Sequence, residues 1–292
     1  MNGVIVLNKP KGKTSHDMVY ACRRLFKIRR VGHTGTLDPN ATGVLPICIG
    51  NATKAAGYIT DSKKRYTAQL ILGAKTDTLD SSGKVLKTVR VDITKEQLYD
   101  ACKKFVGDIE QIPPMYSAIK IDGKKLYELA REGKSVERKP RNVTIYSIDV
   151  DEVDLENNSA TLTVECSKGT YIRTLCDDIG EYLGCYAHMG ELIRTYSGGF
   201  DISKSYTIDE LEKMSEEGIL LSALIKTDEV FSDYEAVVLD ENETKKVKNG
   251  VALIKRQFED GRLYRVYDYE KNFLCISKQI ADKLTMQTSF WT

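Results

Sequence analysis

The sequence predicts an α+β fold with a small β-rich unit at its C-terminal end. Three observations predict it. Within the first fifty residues a short apolar run is followed by an amphipathic helical stretch and then by a second apolar run. Residues 66–72 alternate apolar and polar, as a half-buried strand does. From about Phe231 onward the helical period gives way to short strands and turns. A chain of 292 residues can bury one large core and a smaller one beside it.

Residues 4–7 read as a strand that ends in a Lys-Pro-Lys-Gly turn. Residues 15–28 read as a helix with Ser15 as N-cap; Val19, Cys22, Leu25 and Phe26 fall on one face and the basic residues on the other. Residues 44–49 form a strand, 52–59 a short helix and 66–72 a further strand, followed by a turn-rich stretch over 73–85. A helix is predicted over 94–106, capped by Thr94 with Gln97 three residues on. Residues 110–143 are less regular. They hold Pro113-Pro114, a short hairpin through Asp122-Gly123, a helix over 126–131 and a basic tail with Arg138, Lys139 and Arg141. An excursion of this length inside a compact domain is often functional. Strands over 143–150 and 160–166 lead to a turn at Lys168-Gly169 and a helix toward Leu183; helical stretches follow at 207–216 and 218–225. The change of pattern places a boundary near 228–235, giving units of 1–230 and 231–292.

Composition narrows the function classes. The charged fraction of 29% and hydrophobic fraction of 41% are those of an ordinary globular protein. No apolar run approaches the roughly 18 residues needed to span a bilayer, and the first residues lack a signal peptide's apolar core. A cytoplasmic protein with no membrane partner is expected. The seven cysteines (22, 48, 102, 166, 176, 185, 275) include no CxxC pair, and His16, His33 and His188 show no metal-ligand spacing, so no metal site is expected. No P-loop and no GxGxxG at a strand–helix turn is present. Net charge is only +1, yet residues 1–75 carry +10 and the remainder −9. That asymmetry suggests one face built for a polyanion.

The most unusual stretch is VGHTGTLDPNATGVLPICIG, residues 31–50. Gly32, Gly35, Pro39, Asn40 and Gly43 favour tight turns over a helix. They surround Asp38, the only acid between Asp17 and Asp61, in a window rich in Arg and Lys. An Asp before Pro is also a common turn former. A lone carboxylate on a shaped loop in a positive field is a candidate catalytic group.

Residues 33–50 resemble the catalytic motif of the TruB family of tRNA pseudouridine synthases, in the form G-H-x-G-x-L-D-P-x-A-x-G-x-L-P, with Asp38 at the place of the essential Asp. Three further segments resemble the same family in the same order. KRYTAQLILGAKTDTLDSSG, residues 64–83, aligns Tyr66 with the Tyr that stacks on the target base and assists proton removal from the ring carbon. SKGTYIRTLCDD, residues 167–178, aligns Arg173 with the Arg that pairs with the catalytic Asp, and Tyr171 with a residue that bonds the base or a phosphate. An Arg can do this bidentately and keeps a carboxylate ionised; were this stretch a strand, Tyr171 and Arg173 would share a face. LIRTYSGGF, residues 192–200, aligns Leu192 with the Leu that closes the base pocket. By the same resemblance His33 wedges into the RNA loop, and PPMYSAIKIDGKKLYELAREG belongs to an RNA-gripping insertion. Lys9 and Lys64 are taken as substrate contacts of the basic face.

The resemblance covers residues 3–230. It implies the pseudouridine synthase fold, a mixed and mainly antiparallel sheet flanked by helices, followed by a PUA-like RNA-binding domain over 231–292. It implies isomerisation of uridine 55 in the T loop of tRNA, with the T-arm stem-loop as partner, no cofactor and a monomeric enzyme. Asp38 then attacks C1′ or removes the 2′ proton; both routes stay open. Two rivals differ in class: a guide-RNA-dependent pseudouridine synthase that needs partner proteins, and a tRNA-folding helper whose RNA binding is its function.

Overall fold

In the computed structural model, which describes residues 1–121 and 123–291, a large mixed sheet carries helices on one face. Its strands are β1 (Gly3–Lys9), β2 (Val31–His33), β3 (Thr42–Ile49) and β4 (Lys64–Leu72). The hairpin of β5 (Ala74–Thr76) and β6 (Val85–Thr88) lies apart, within the stretch expected to be turns. The large sheet continues with β7 (Gly107–Gln111); β8 (Lys120–Ile121) and β9 (Lys124–Lys125) form a small hairpin, of which Asp122 lies outside the described residues. Next come β10 (Arg141–Asp154), β11 (Ser159–Cys166), β12 (Ala187–Ser197) and β13 (Phe200–Asp201). The spatial order is β1-β3-β12-β4-β11-β10-β7, with β2 on β3 and β13 on β12. Every pairing is antiparallel except β12 with β3.

The helices are α1 (Ser15–Phe26), α2 (Ala56–Thr60), α3 (Lys95–Lys104), α4 (Leu126–Arg131), α5 (Ile172–Tyr182) and α6 (Ile208–Glu216). Alternation explains how they bind the sheet. Tyr66, Ala68, Leu70 and Leu72 of β4 and Ala160, Leu162, Val164 and Cys166 of β11 project to one face. Met18, Val19 and Cys22 of α1, Leu98 of α3, Leu175 and Ile179 of α5 and Leu211 of α6 join the same core. β1 and β3 are buried on both faces, so they read as continuous apolar runs. The outer edge of β1 is closed by backbone bonds from Tyr206 and Ile225. An exposed row of unpaired groups is thereby removed.

Some boundaries differ from expectation. α1 is capped by Thr14, whose side chain accepts from the Asp17 amide while Asp17 bonds back. Ser15 is the first residue inside the helix and does other work. Residues 50–55 form a 3-10 turn before α2, and 220–223 another. The Thr94/Gln97 capping box on α3 is present as predicted.

A second sheet, in order β14-β16-β17-β18-β15, is built from β14 (Glu235–Val238), β15 (Leu253–Ile254), β16 (Leu263–Tyr267), β17 (Phe273–Ile280) and β18 (Lys283–Ser289), with α7 (Glu241–Lys248) beside it. Phe231, Phe273, Ile276, Phe290, Ala55 and Tyr58 pack it onto the first unit. Lys54 Nζ donates to the Ser289 carbonyl (2.8 Å), and Asn51 Nδ2 donates to that of Phe290 (3.1 Å). The Asn51 amide also donates to Asn2 Oδ1. Among the described residues no helix is long and apolar enough to cross a membrane.

Candidate active site

The Asp38 loop hangs between β2 and β3 and is held on both sides by the segment that follows β1. The Ser15 hydroxyl accepts from the Leu37 amide (2.9 Å) and donates to the Leu37 carbonyl. Gly12 N and Lys9 Nζ both donate to the Pro39 carbonyl (2.8 and 3.0 Å). The peptides on either side of Asp38 are thus pinned while its side chain stays 41% exposed. Gly43, at φ +99°, lies where β3 meets β12; a Cβ there would collide with the Arg194 backbone.

Arg173 reaches this carboxylate from the first turn of α5. Its Nε lies 3.0 Å from Asp38 Oδ2. Its other nitrogens donate to the carbonyls of Thr78 (3.1 Å) and Tyr116 (2.9 Å), and Asp80 Oδ2 stands 3.8 Å away. Asp80 is itself fixed by the Thr78 hydroxyl and the Ser82 amide. Burial pushes the Asp38 carboxyl above its ordinary range; Arg173 and Lys9 pull it back, and Asp80 adds to the rise. The arrangement is an oriented carboxylate that remains partly exposed.

The other predicted residues divide. Tyr66 is buried on the core face of β4, where burial raises its phenol while Arg194 opposes that rise. Leu192 is buried on the same face of β12, paired with Ala68 beside Tyr66. Tyr171 caps α5 rather than sitting in a strand, and Gln111 bonds both its amide (3.0 Å) and its carbonyl (3.2 Å). Arg173 is therefore presented by a helix turn. His33 ends β2, with its ring edge-on to His16 and its Nδ1 accepting from Gly35 N; burial and the neighbouring His16 and Arg194 disfavour its charged form.

Lys9 and Lys64 lie elsewhere than a phosphate-binding surface requires. Lys9 is wholly buried, with Nζ on the carbonyls of Pro10, Lys13 and Pro39; Lys64 Nζ sits on those of Thr60 and Ser62. Burial pushes both down to about 8. Each ammonium is committed to backbone acceptors, so both brace loops. Among the described residues no cluster of His, Cys, Asp or Glu is arranged to hold a metal, and all seven cysteines are buried and free.

A family model described as TruB family pseudouridylate synthase (N terminal domain) matches residues 23–172, and one described as tRNA pseudouridylate synthase B C-terminal domain matches 173–232. The chain belongs to the TruB family. It is 44% identical over 283 residues to the tRNA pseudouridine synthase B of Bacillus anthracis, covering 95% of this chain and 92% of that one. With the Clostridium kluyveri protein of the same name it is 44% identical over 280 residues, covering 94% and 95%. Among solved structures, a chain from a Cbf5-Nop10-Gar1 complex superposes with TM-score 0.74 at 26% identity, covering 99% of this chain and 85% of that one. A chain from an H/ACA RNP bound to a substrate RNA containing 2'-deoxyuridine shares the fold at TM-score 0.75 and 23% identity, with the same coverage. Neither family match extends past residue 232, so the second sheet lies beyond both.

In this TruB-family chain, sequence reasoning missed Asp80, Ser15, Arg194 and the carbonyls of Thr78 and Tyr116. Asp80 stood in the open within TDTLDSSG, the motif read only for Tyr66. The carbonyls carry no side-chain signal at all.

Proposed function

We propose that this protein isomerises uridine 55 in the T loop of tRNA to pseudouridine. The contact of 3.0 Å between Arg173 and Asp38 carries the reading, because it assembles two widely separated motifs into one oriented carboxylate. The target base lies inside a folded loop and has to be turned out before chemistry. The positive charge of residues 1–75 supports a phosphate-binding face. Residues 1–230 form the catalytic unit. The insertion over 110–143, in which Lys125 and Arg131 both lie over the ring of Tyr127, grips the RNA. Residues 231–292 form the PUA-like domain. His33 wedges into the loop, Leu192 closes the base pocket, Tyr171 bonds the base and Tyr66 stacks on it.

Asp38 either adds to C1′ as the glycosidic bond breaks or removes the 2′ proton. The freed uracil turns, and C5 bonds to C1′. Neither route consumes an external nucleophile or a redox cofactor. The enzyme works as a cytoplasmic monomer. The 44% relatives named for tRNA favour a stand-alone enzyme over a guide-RNA particle, and activity of the pure protein on a bare T-arm stem-loop separates the two. Asp38→Asn should abolish tritium release from C5-labelled tRNA while leaving tRNA binding near normal. Substantial turnover by that variant rejects the assignment, and tRNA refolding by it unchanged marks a helper role.

A further inference from the structure

Gln111 is the last residue of β7 and only 1% exposed, and its side chain is spent on the start of α5. Its Oε1 accepts from the Tyr171 amide (3.0 Å) and its Nε2 donates to the Tyr171 carbonyl (3.2 Å). Tyr171 is the N-cap of α5 and supplies no side-chain cap of its own. A helix that begins without such a cap has orphan amides and a loosely held first turn. Here the Gln111 amide grips both polar groups of the N-cap residue from outside, as the backbone of a neighbouring strand would. Glutamine suits the task because one planar group presents an acceptor and a donor side by side. Two residues further on stands Arg173.

A second bond ties the same segment to the same turn. Arg173 Nη2 donates to the Tyr116 carbonyl (2.9 Å), so the stretch from 111 to 116 is fastened to α5 at both ends. Between the fastenings lie Pro113 and Pro114, whose rings fix φ and stiffen the stretch. Arg138, near the far end of the insertion, donates to the Pro113 carbonyl (3.1 Å). A short stiff strap is thus laid across the helix start. Arg173 has to meet Asp38 with Nε and Tyr116 with Nη2 at once, which tolerates little drift of its backbone. Among the described residues no other side chain bonds the Tyr171 backbone.

We propose that Gln111 is a positioning residue for Arg173: by clamping the Tyr171 backbone it sets where the first turn of α5 presents the guanidinium to Asp38. This rests on the reading of Arg173 and Asp38 as the catalytic pair. Gln111 bonds neither of those side chains, so its effect runs through the backbone of α5.

The test compares Gln111→Met, Gln111→Glu, Arg173→Lys and the double variant Gln111→Met/Arg173→Lys. Single-turnover rates are measured with saturating enzyme in excess over tRNA, where a partly unfolded preparation still reports the rate of its folded fraction. Both Gln111 variants should lose about tenfold in that rate, with tRNA affinity by filter binding changed by less than about twofold. The double variant should be no slower than Arg173→Lys alone, because residues that act as a unit do not lose rate twice. Should Gln111→Met not fold, Gln111→Glu, which keeps the shape but not the donor, is judged by the same rate and paired with Arg173→Lys instead. An unchanged rate in the Gln111 variants, or losses that multiply in the double variant, overturns the role of Gln111. A wild-type rate in Arg173→Lys overturns the reading of Arg173 and with it this proposal. A slow Arg173→Lys beside unaffected Gln111 variants overturns Gln111 alone.

Discussion

Arg173 uses each of its three nitrogens differently: Nε on Asp38, and the other two on the carbonyls of Thr78 and Tyr116. A lysine has one nitrogen and no fixed fork, so it can keep the charge but not the geometry. Arg173→Lys should lower kcat about 100-fold, the order seen when a preorganised electrostatic contact is removed, with tRNA affinity barely changed. Single-turnover assays beside filter binding check this; wild-type rates would make Arg173 a bystander. The same residue should set the acid limb of activity. Burial holds Asp38 above the ordinary carboxylate value of 3.8, and Arg173 opposes that rise. With the carboxylate as the working form proposed above, activity should be lost as pH falls through a value above 3.8. Arg173→Met should move that limb further toward neutrality, as measured in the pH dependence of kcat/KM. At this scale Asp38 and Arg173 were legible because their neighbours formed motifs. Lys9 and Lys64 were not, because a sequence counts charges without saying which carbonyls they will find. Arg194 stood unread in LIRTYSGGF, where only Leu192 drew attention.

The start of α1 shows how much turns on one residue of register. Thr14 and Ser15 are both good N-cap types, and only the reciprocal bond with Asp17 selects Thr14. Ser15 is thereby free to clamp the Leu37 peptide. Ser15→Ala should leave α1 intact, cost about 1–2 kcal/mol for the unsatisfied Leu37 amide, and lower kcat about tenfold by loosening the Asp38 loop, given how steeply misplacement of reacting groups slows catalysis. Thermal unfolding and tritium release measured on the same preparation test the pair of effects; a kcat unchanged despite the lower stability argues against the clamp. Long periodic elements such as α3 and β4 were legible, since period and capping agree there. The β5–β6 hairpin was not: its second strand is exposed throughout, so no alternation marks it. Tyr171 and Arg173 share no strand, because the turn before them leads directly into α5.

At the scale of the whole chain, the order β1-β3-β12-β4 brings residues about 150 positions apart, such as Thr42 and Ile193, into register, and local periodicity carries none of that. The parallel pairing of β12 with β3 is what sets Arg194 against Gly43. The second sheet is held through Phe231, which is 3% exposed and in contact with the rings of Tyr58, Tyr234, Phe273 and Phe290. Phe231→Ala should cost about 3–5 kcal/mol. Trp291, the only tryptophan, lies next to this contact and reports on it. A urea midpoint by its fluorescence equal to that of the unaltered protein would show that the aromatic cluster adds little.

Asn51 has a wider consequence. Its backbone N–H donates to the side chain of Asn2 and its own side chain donates to the Phe290 carbonyl, so residues 2 and 290 lie within reach of one residue. A few Gly-Ser residues could splice 291 to 1, and the ring could be reopened at the exposed pair Glu156 and Asn157, in the β10–β11 turn. Such a circular permutant would keep every contact around Asp38 while letting the second sheet leave the ribosome between the two halves of the first.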